Sequence, residues 1–390
     1  MKILQICKSL PFEIKGGIQT HVWELSLSLK AKGHTVSILS AGSMKQGECK
    51  EEIEGIEIIR IPYFPGRRIT PFKHTLDEHC FNQAAKNWLS TRHASYDLIH
   101  THGRSGLLLP REVSPEKRIM TFHGLAHREY DFNFRRNNRF SLDLWVHQSV
   151  NRGVEEEAYL KAGKVIAVSH ELKSCLEEDF GKRLAGIDVL PNGILSERID
   201  GSFKRARLVC FVGRFSQLKG IHLLPDILEQ LPADVKMVCI GGGSEEAALK
   251  TKFEDKGLIH RCMFPGFLEK AEIYDWMLKS NCLIMPSLIE TFGIVVLEAG
   301  MCSLPVVASS IPALEEIITH NKDGLIIDEH NAKAYAAAIE RLMDDDELAR
   351  IMGSRLQEKV LSTYNWAVIT ERLQRIYQQM VGEYGAEMVA

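Results

Sequence analysis

MKILQICKSLPFEIKGGIQTHVWELSLSLKAKGHTVSILS, residues 1–40, is the stretch whose spacing decides the fold. An apolar run from Ile3 to Cys7 reads as a strand and enters a loop that ends in Gly16 and Gly17. From Ile18 to Lys32 the residues Val22, Leu25 and Leu29 recur on one helical face, and Gly33 stops the segment as a C-terminal glycine does. Thr35 to Leu39 is the next strand. Strand, glycine loop, helix and strand make a βαβ unit, which implies a parallel sheet.

The same order recurs further along the chain. Leu208 to Val212 is an apolar strand, Gly213 to Gly220 a glycine-bearing loop, Ile221 to Leu231 a helix and Val235 to Ile240 a second strand. Leu98 to His100, Ile119 to Phe122 and Val165 to Val168 extend the first series; Cys282 to Met285 and Val306 to Ala308 extend the second. Two doubly wound α/β domains are expected, joined somewhere between Asn192 and Arg207, where Gly, Ser and charged residues gather. Residues 331–384 are Ala-rich, charged and periodic, and read as helices. Ligands of open α/β sheets sit beyond the carboxyl ends of the strands, so two such domains facing each other would share a central cleft.

Composition narrows the function classes. The chain has 390 residues, 45% apolar and 25% charged, values typical of soluble globular proteins. The longest uncharged stretch of the apolar C-terminal half, Ala299 to Leu314, is short and rich in Ser and Pro, so no membrane span is expected. Residues 1–7 enter a strand without the features of a secretory leader, and a cytoplasmic location is expected. The nine cysteines include no CxxC spacing, which leaves a zinc ribbon or redox pair unsupported; Cys7, Cys210, Cys239 and Cys282 read as small core residues. The net charge of −3 argues against a nucleic-acid binder. Residues 60–139, with 14 basic against 7 acidic residues, leave room for a local site for an anionic ligand or membrane surface.

The strand-end loops carry the candidate chemistry. PSLIETFGIVVLEAG, residues 286–300, leaves an apolar strand, turns at Thr291, Phe292 and Gly293, and enters a helix. The free amides and positive dipole end of a helix N-terminus suit phosphate, and Gly293, Ile294 and Val295 are the natural donors. Glu298, four residues beyond Ile294, shares its helix face and can accept hydrogen bonds from a vicinal diol such as a ribose. Glu290 precedes the turn. A surface loop residue and an exposed helix residue are the plain alternatives for these two glutamates. In VGRFSQLKG, residues 212–220, Arg214 can fork two phosphate oxygens and Lys219 adds a point charge; an ordinary solvated loop is the alternative. Gly16 and Gly17 permit close approach of backbone to a ligand and tolerate positive φ, or form a plain turn.

Histidines close several strands of the first domain. His100 and His102 in IHTHG could form a metal pair, be structural, or contact substrate, and the same structural and substrate readings apply to His123 in TFHG. No neighbouring carboxylate or cysteine completes a metal set. Asp344 to Asp346 holds a DxD string in a polar gap and reads as a solvated run.

The motifs GGIQTHVWELSLSLKAKGHTV, DLIHTHG, TFHG, VIAVS, LPNGI, VGRFSQLKG, PGFLEKAEIYDWMLKSNCLIMPSLIETFGIVVLEAG, PVVASSIPALEEII and DGLII follow one another along nearly the whole chain. In order and spacing the chain resembles the GT-B fold retaining glycosyltransferases of family 4, the large family that includes sucrose synthase and phosphatidylinositol mannosyltransferase. The resemblance implies two Rossmann-like domains facing a central cleft: an acceptor-binding domain at 1–195, a nucleotide-sugar-binding domain at 196–365, and a last helix at 366–390 that crosses back to the first domain.

The resemblance also implies roles. Arg214 and Lys219 would meet the diphosphate, Glu298 the ribose, Glu290 and His123 the transferred sugar, and Phe267, within Gly266 to Leu268, the nucleobase. The amides of Phe292, Gly293, Ile294 and Val295 would hold phosphate and sugar oxygens, Gly16 and Gly17 would let backbone close over the diphosphate, and His102 would meet the acceptor. The implied co-substrate is a nucleotide-diphosphate sugar, with no metal or other cofactor, because the two cations stabilise the leaving group. Retention by same-face attack, with the departing phosphate taking the acceptor's proton, is the family's implied route. The acceptor would be a glycan or lipid-linked intermediate of cell-surface polysaccharide synthesis. Arg128 to Trp145 interleaves Arg135, Arg136 and Arg139 with Phe132, Phe134, Phe140 and Trp145, a mixture that can lie on the anionic inner face of a membrane or pack as a helix with a charged outer side. A sugar-nucleotide epimerase, a phosphorylase, a retaining glycosidase using Glu290 and Glu298 and a non-catalytic nucleotide-binding subunit are the competing readings.

Overall fold

A computed structural model describes residues 1–65, 73–128, 142–184, 186–195, 199 and 206–387. The chain divides into two compact units, one formed by Met1–Gly193 with Trp366–Ala390 and the other by Ile194–Asn365.

The first unit runs β1 (Lys2–Ile6), α1 (Gly17–Ala31), β2 (Thr35–Gly42), β3 (Cys49–Ile53), β4 (Ile56–Pro62), α2 (Lys73–Arg92), β5 (Leu98–His102), β6 (Arg118–Phe122), α3 (Leu142–Lys161), β7 (Lys164–Ala167), α4 (His170–Phe180) and β8 (Asp188–Val189). Its sheet has the order β3-β4-β2-β1-β5-β6-β7-β8. Every neighbouring pair is parallel except β3 and β4, whose antiparallel register sets Ile53 opposite Ile56. Glu54 and Gly55, both at positive φ, make the two-residue turn that such a hairpin needs. Successive strands move outward from β1 on one side and from β5 on the other, so the chain reverses direction across the sheet between β1 and β5. Loops splay apart at such a switch point and leave a crevice.

The second unit runs β9 (Leu208–Val212), α5 (Leu224–Gln230), β10 (Lys236–Ile240), α6 (Glu246–Asp255), β11 (Cys262–Gly266), α7 (Lys270–Lys279), β12 (Cys282–Met285), α8 (Ile294–Met301), β13 (Val306–Ser309), α9 (Pro312–Glu315), β14 (Leu325–Ile327), α10 (Ala332–Asp344) and α11 (Asp346–Thr363). Its sheet is parallel throughout, in the order β11-β10-β9-β12-β13-β14, with its switch point between β9 and β12. The expected helix from Ile221 to Leu231 opens as two 3-10 turns, Gln217–Lys219 and Ile221–Leu223, and becomes α only at Leu224. Gly220, left-handed between them, separates the turns.

Helix α12 (Trp366–Glu387) belongs to the first unit. Trp366, Ile369, Leu373, Ile376, Tyr377 and Met380 fall on one stripe and share a buried cluster with Val22, Leu25 and Leu29 of α1. Each fully buried side chain of this size contributes roughly 1.5–3 kcal/mol. The Trp366 indole donates to Glu24 Oε2 at 2.8 Å, so the polar end of the buried ring is satisfied, as burial requires. Cys7, Cys210, Cys239 and Cys282 are buried free thiols, and burial pushes the Cys7 thiol up to about 12. Among the described residues no helix is long and apolar enough to cross a membrane.

Candidate functional site

In the second unit the loops after β9 and β12 meet at the switch point. Gly220 is the pivot: at φ +64 it has no room for a side chain, because a Cβ would stand 1.7 Å from the carbonyl oxygen of Pro286. Leu288 donates its amide to the Leu218 carbonyl at 2.8 Å, which ties the two loops backbone to backbone. This contact delivers Lys219 Nζ to Glu290 Oε1 at 2.5 Å, and Ser287 Oγ donates to the same oxygen at 2.9 Å. The Glu290 side chain is only 7% exposed. Two donors therefore hold a carboxylate that burial would otherwise penalise. Arg214, at the end of the first strand of the unit, is exposed and makes no ion pair among the described residues.

Gly293 caps α8 in the left-handed conformation, where a side chain would be strained and would also strike Leu314. The helix begins at Ile294, so the amides of its first turn, Ile294 and Val295 among them, lack partners within the helix. Phe292 is buried and packs edge-on to Tyr364, with ring centroids 5.9 Å apart; its ring anchors the turn, leaving backbone as what it can offer a ligand. Glu298 lies one turn into α8 and is half-buried. Phe267 is 68% exposed, and its ring closes on Gly242, where a Cβ would come within 2.8 Å.

Gly241 and Gly243 were not legible as part of this site. A Cβ at Gly241 would stand 2.1 Å from the Gly213 oxygen and one at Gly243 2.4 Å from the Phe215 oxygen. The run after β10 thus lets that loop lie against the one bearing Arg214. Its spacing fits no dinucleotide fingerprint, but three glycines directly after an apolar strand are a signal of close backbone contact.

In the first unit Gly16 is the extended N-cap of α1 and Gly17 its first residue. Neither adopts positive φ, so the expectation of left-handed tolerance is corrected. A Cβ on Gly16 would instead meet the Gln19 side chain at 2.5 Å. Both glycines lie beside the switch point between β1 and β5.

The histidines divide differently from the pairing considered in the sequence. His100 is fully buried and bonded on both nitrogens, Nδ1 to the Tyr377 hydroxyl and Nε2 to Thr121 Oγ1, each at 2.7 Å. It is a core residue, and the metal pair of His100 with His102 is not formed. His102, His123 and His21 instead bring ring nitrogens within 4.8 Å of one another. His102 Nε2 donates to Gln5 Oε1 at 2.5 Å and turns Nδ1 to His123 Nε2 at 3.4 Å. His21 Nδ1 donates to Asn192 Oδ1 at 2.7 Å, and its ring stands edge-on to that of His123, centroids 4.5 Å apart. Burial pushes His21 down to about 4 and His100 to about 3. Burial and then the charges of neighbouring histidines hold His102 and His123 well below the ordinary range. All four are neutral at physiological pH, so the group of His21, His102 and His123 can relay N–H bonds or offer lone pairs without carrying charge. Sequence reading missed His21, a polar residue inside the first helix, because only the fold brings its ring to the strand ends.

A cavity of about 730 Å³ opens at the carboxyl ends of β1, β2, β4 and β5, with His102 in its wall. Lys8 pairs with Asp77 in it, and Arg104 Nε lies 3.3 Å from Glu78 Oε1. Burial raises the Glu78 carboxyl, against the pull of Arg104 and Lys8. Asp344 lies at the end of α10 and Asp345 caps α11, which makes the DxD string a helix junction. Arg135, Arg136, Arg139, Phe132, Phe134 and Phe140 lie outside the described residues, as does the Trp145 side chain.

Two units with parallel sheets, each carrying polar groups at a switch point, define a pair of Rossmann-like ligand-binding domains. Residues 15–198 match the family described as Glycosyltransferase Family 4, and residues 196–359 match Glycosyl transferases group 1. The chain is 27% identical to the phosphatidyl-myo-inositol mannosyltransferase of Mycolicibacterium smegmatis, with 98% of this chain and 95% of that protein covered. In fold it is similar to sucrose-phosphate synthase from Thermosynechococcus elongatus, with a TM-score of 0.80 at 22% identity over 98% of this chain and 99% of that one. It is also similar to Anabaena HepE in complex with UDP-glucose, with a TM-score of 0.72 at 18% identity over 97% and 100%. The chain belongs to the GT-B glycosyltransferases of group 1.

Proposed function

We propose that this glycosyltransferase is a retaining enzyme that moves a sugar from a nucleotide-diphosphate sugar to a hydroxyl of a glycan or glycolipid intermediate of cell-surface polysaccharide synthesis. The observation that carries the reading is the convergence of Arg214, the Lys219–Glu290 pair and the N-terminus of α8 on one switch point. HepE, solved with UDP-glucose, and the mannosyltransferase relative support a nucleotide-sugar donor and a lipid or glycan acceptor.

The roles follow from where charge develops. As the bond from the anomeric carbon to the diphosphate breaks, the sugar becomes cationic and the leaving group gains negative charge. Arg214, Lys219 and the free amides from Phe292 to Val295 stabilise the leaving group in place of a metal ion. Glu290 faces the sugar, Glu298 takes the ribose hydroxyls, and Phe267 offers its exposed ring to the base. Gly16 and Gly17 bring backbone close to the diphosphate, and His123 gives a neutral imidazole to the donor sugar. His102 orients the acceptor, whose hydroxyl attacks from the leaving-group face and gives its proton to the departing phosphate, so that configuration is retained. The protein works as a peripheral enzyme at the inner face of the membrane.

Purified protein is to be screened for release of UDP, GDP or ADP from a panel of nucleotide sugars, with and without EDTA, and the anomeric configuration of product read by NMR. Nucleotide release dependent on an added acceptor, unaffected by EDTA and giving a retained product, is expected. An inverted product, a requirement for metal, or sugar isomerisation without any acceptor would replace this reading.

A further inference from the structure

Three histidines of the first unit, one in α1 and two at the ends of β5 and β6, are aimed at one another by bonds on their far sides. His21 Nδ1 donates to Asn192 Oδ1 at 2.7 Å, which puts the lone pair of that ring on Nε2, and Nε2 is buried with no hydrogen-bond partner. His102 Nε2 donates to Gln5 Oε1 at 2.5 Å, which puts its lone pair on Nδ1, and Nδ1 faces His123 Nε2 at 3.4 Å. One nitrogen from each of the three rings lies within 4.8 Å of those of the other two. A buried polar atom left unpaired costs free energy and calls for an explanation. Side-chain amides that hold the N–H side of an imidazole fix its tautomer and orientation, as the partners of metal-bound histidines do. A cation is the ligand that converging lone pairs of this kind suit.

We propose that His21, His102 and His123 form a site for a transition-metal cation of the Zn²⁺ class, and that an ion held there switches the enzyme off. Bonds of about 2.0–2.1 Å set neighbouring ligands of a tetrahedral ion about 3.4 Å apart, which is the separation of His102 Nδ1 and His123 Nε2. His123 joins through Nε2 with its proton on Nδ1, and His21 closes a remaining gap on the order of 1 Å. The group is all imidazole, a donor set that suits Zn²⁺, Cu²⁺ or Ni²⁺, whereas Mg²⁺ and Ca²⁺ take oxygen ligands. Three protein ligands leave a fourth position open. His102 lies in the wall of the cavity of about 730 Å³, which gives the ion a way in and supplies water to that position. The switch rests on the reading of His123 and His102 as the groups that meet the donor sugar and the acceptor. A ring nitrogen bound to an ion cannot also bond to a sugar hydroxyl, so the ion is an inhibitor and the metal-free protein is the active form.

The test uses the intact protein, stripped with EDTA and then freed of it, and three probes: Co²⁺, Zn²⁺ and Mg²⁺. Co²⁺ should bind as one equivalent with the strong visible absorption of a four-coordinate ion. No sulfur-to-cobalt charge-transfer band should appear, which separates the histidines from the exposed thiol of Cys49. Zn²⁺ should displace the cobalt, and excess Mg²⁺ should not. Asn192→Ala keeps all three ligands but releases the His21 ring, and His21→Asn keeps a donor in place of Nδ1 with no atom in place of Nε2. The first should weaken Co²⁺ binding about tenfold to a hundredfold and the second by more, with circular dichroism showing both folded. If either variant fails to fold, electron paramagnetic resonance of Cu²⁺ on the wild type decides, and coupling to three imidazoles is expected. No binding, a sulfur-to-cobalt band, displacement by Mg²⁺, copper coupled to fewer than three imidazoles, or undiminished binding in His21→Asn would overturn the site. Nucleotide release from a sugar donor is measured separately. Zn²⁺ should abolish it in step with occupancy, EDTA should restore it, and release by His21→Asn should be insensitive to Zn²⁺; full release with the site filled would remove the switch. A protein that binds Co²⁺ through its histidines but releases no nucleotide keeps the site and loses the transferase reading, and one that releases nucleotide but binds no ion does the reverse.

Discussion

Lys219 Nζ stands 2.5 Å from Glu290 Oε1 across 71 positions of sequence, and the contact exists because Gly220 has no side chain to keep the two loops apart. In the proposed reaction Lys219 must serve a diphosphate as well as this carboxylate, so the pair sets the charge around the donor. Glu290→Gln keeps the shape and removes the charge. Turnover should fall by about a hundredfold or more, with donor affinity changed far less, as initial-rate kinetics with circular dichroism controls will show. Full activity in Glu290→Gln would remove the carboxylate from the chemistry and leave Glu290 as a tie between the two loops.

Glu298 is one helical turn further on and should act on binding. Glu298→Gln removes a charged hydrogen bond worth about 1.5–3 kcal/mol, and nucleoside diphosphate affinity should weaken on the order of tenfold to a hundredfold with kcat largely kept. Calorimetry against UDP, GDP and ADP reads the split.

Gly220→Ala forces a Cβ onto the Pro286 carbonyl at a left-handed position. Strain of this kind costs about 1–3 kcal/mol, and relief requires the two loops to part. The variant should lose thermal stability together with diphosphate affinity, and wild-type calorimetric binding in it would show that the loop contact is dispensable.

The buried histidines give the first unit a pH limit. His21 and His100 titrate near 4 and near 3 in the folded chain and near 6.5 when unfolded. The unfolded chain therefore binds more protons throughout that window. The stabilisation is complete above pH 6.5 and is lost as pH falls through the folded values, at about 1.4 kcal/mol per pH unit for each residue. Between pH 6.5 and 5.5, where the unfolded rings are still becoming protonated, the two together remove about 2 kcal/mol, and the loss steepens below that, so scanning calorimetry should show a Tm that drops through this range. A Tm flat to pH 5 would mean that the rings are solvated.

Membrane contact through Arg135, Arg136 and Arg139 is tested by flotation with anionic and neutral vesicles. The triple glutamine variant should lose binding to the anionic vesicles, and equal partitioning of the two proteins would remove these arginines from the account.

What the sequence made legible were the elements whose signal is local. The strands Leu208–Val212 and Cys282–Met285 are uninterrupted apolar runs and stand where they were read. The hairpin of β3 and β4 was not read, because Cys49 to Ile53 is charged at an exposed sheet edge and only the Glu54–Gly55 turn hints at it. Helix α2 escaped because its apolar residues form no strong stripe. Of the candidate site, Arg214, Lys219 and Glu290 could be located since the ends of strands β9 and β12 fix their loops, and Glu298 by its spacing within α8. The grouping of His21, His102 and His123 could not, because they come from one helix and the ends of two strands whose neighbourhood is a property of sheet order.

The indole of Trp366 reaching Glu24 joins residues 342 positions apart within a single core. On the ribosome the sheet of the first unit is made early, yet the helix that covers its α1 side emerges last, after the whole second unit. The second unit, uninterrupted from Ile194 to Asn365, can close its core while the cluster of the first still lacks Trp366, Leu373 and Tyr377. The first unit's core is thus complete only with α12 in place, whereas the second unit's is continuous in sequence, an arrangement contrary to the usual order in which the N-terminal domain folds as a unit first.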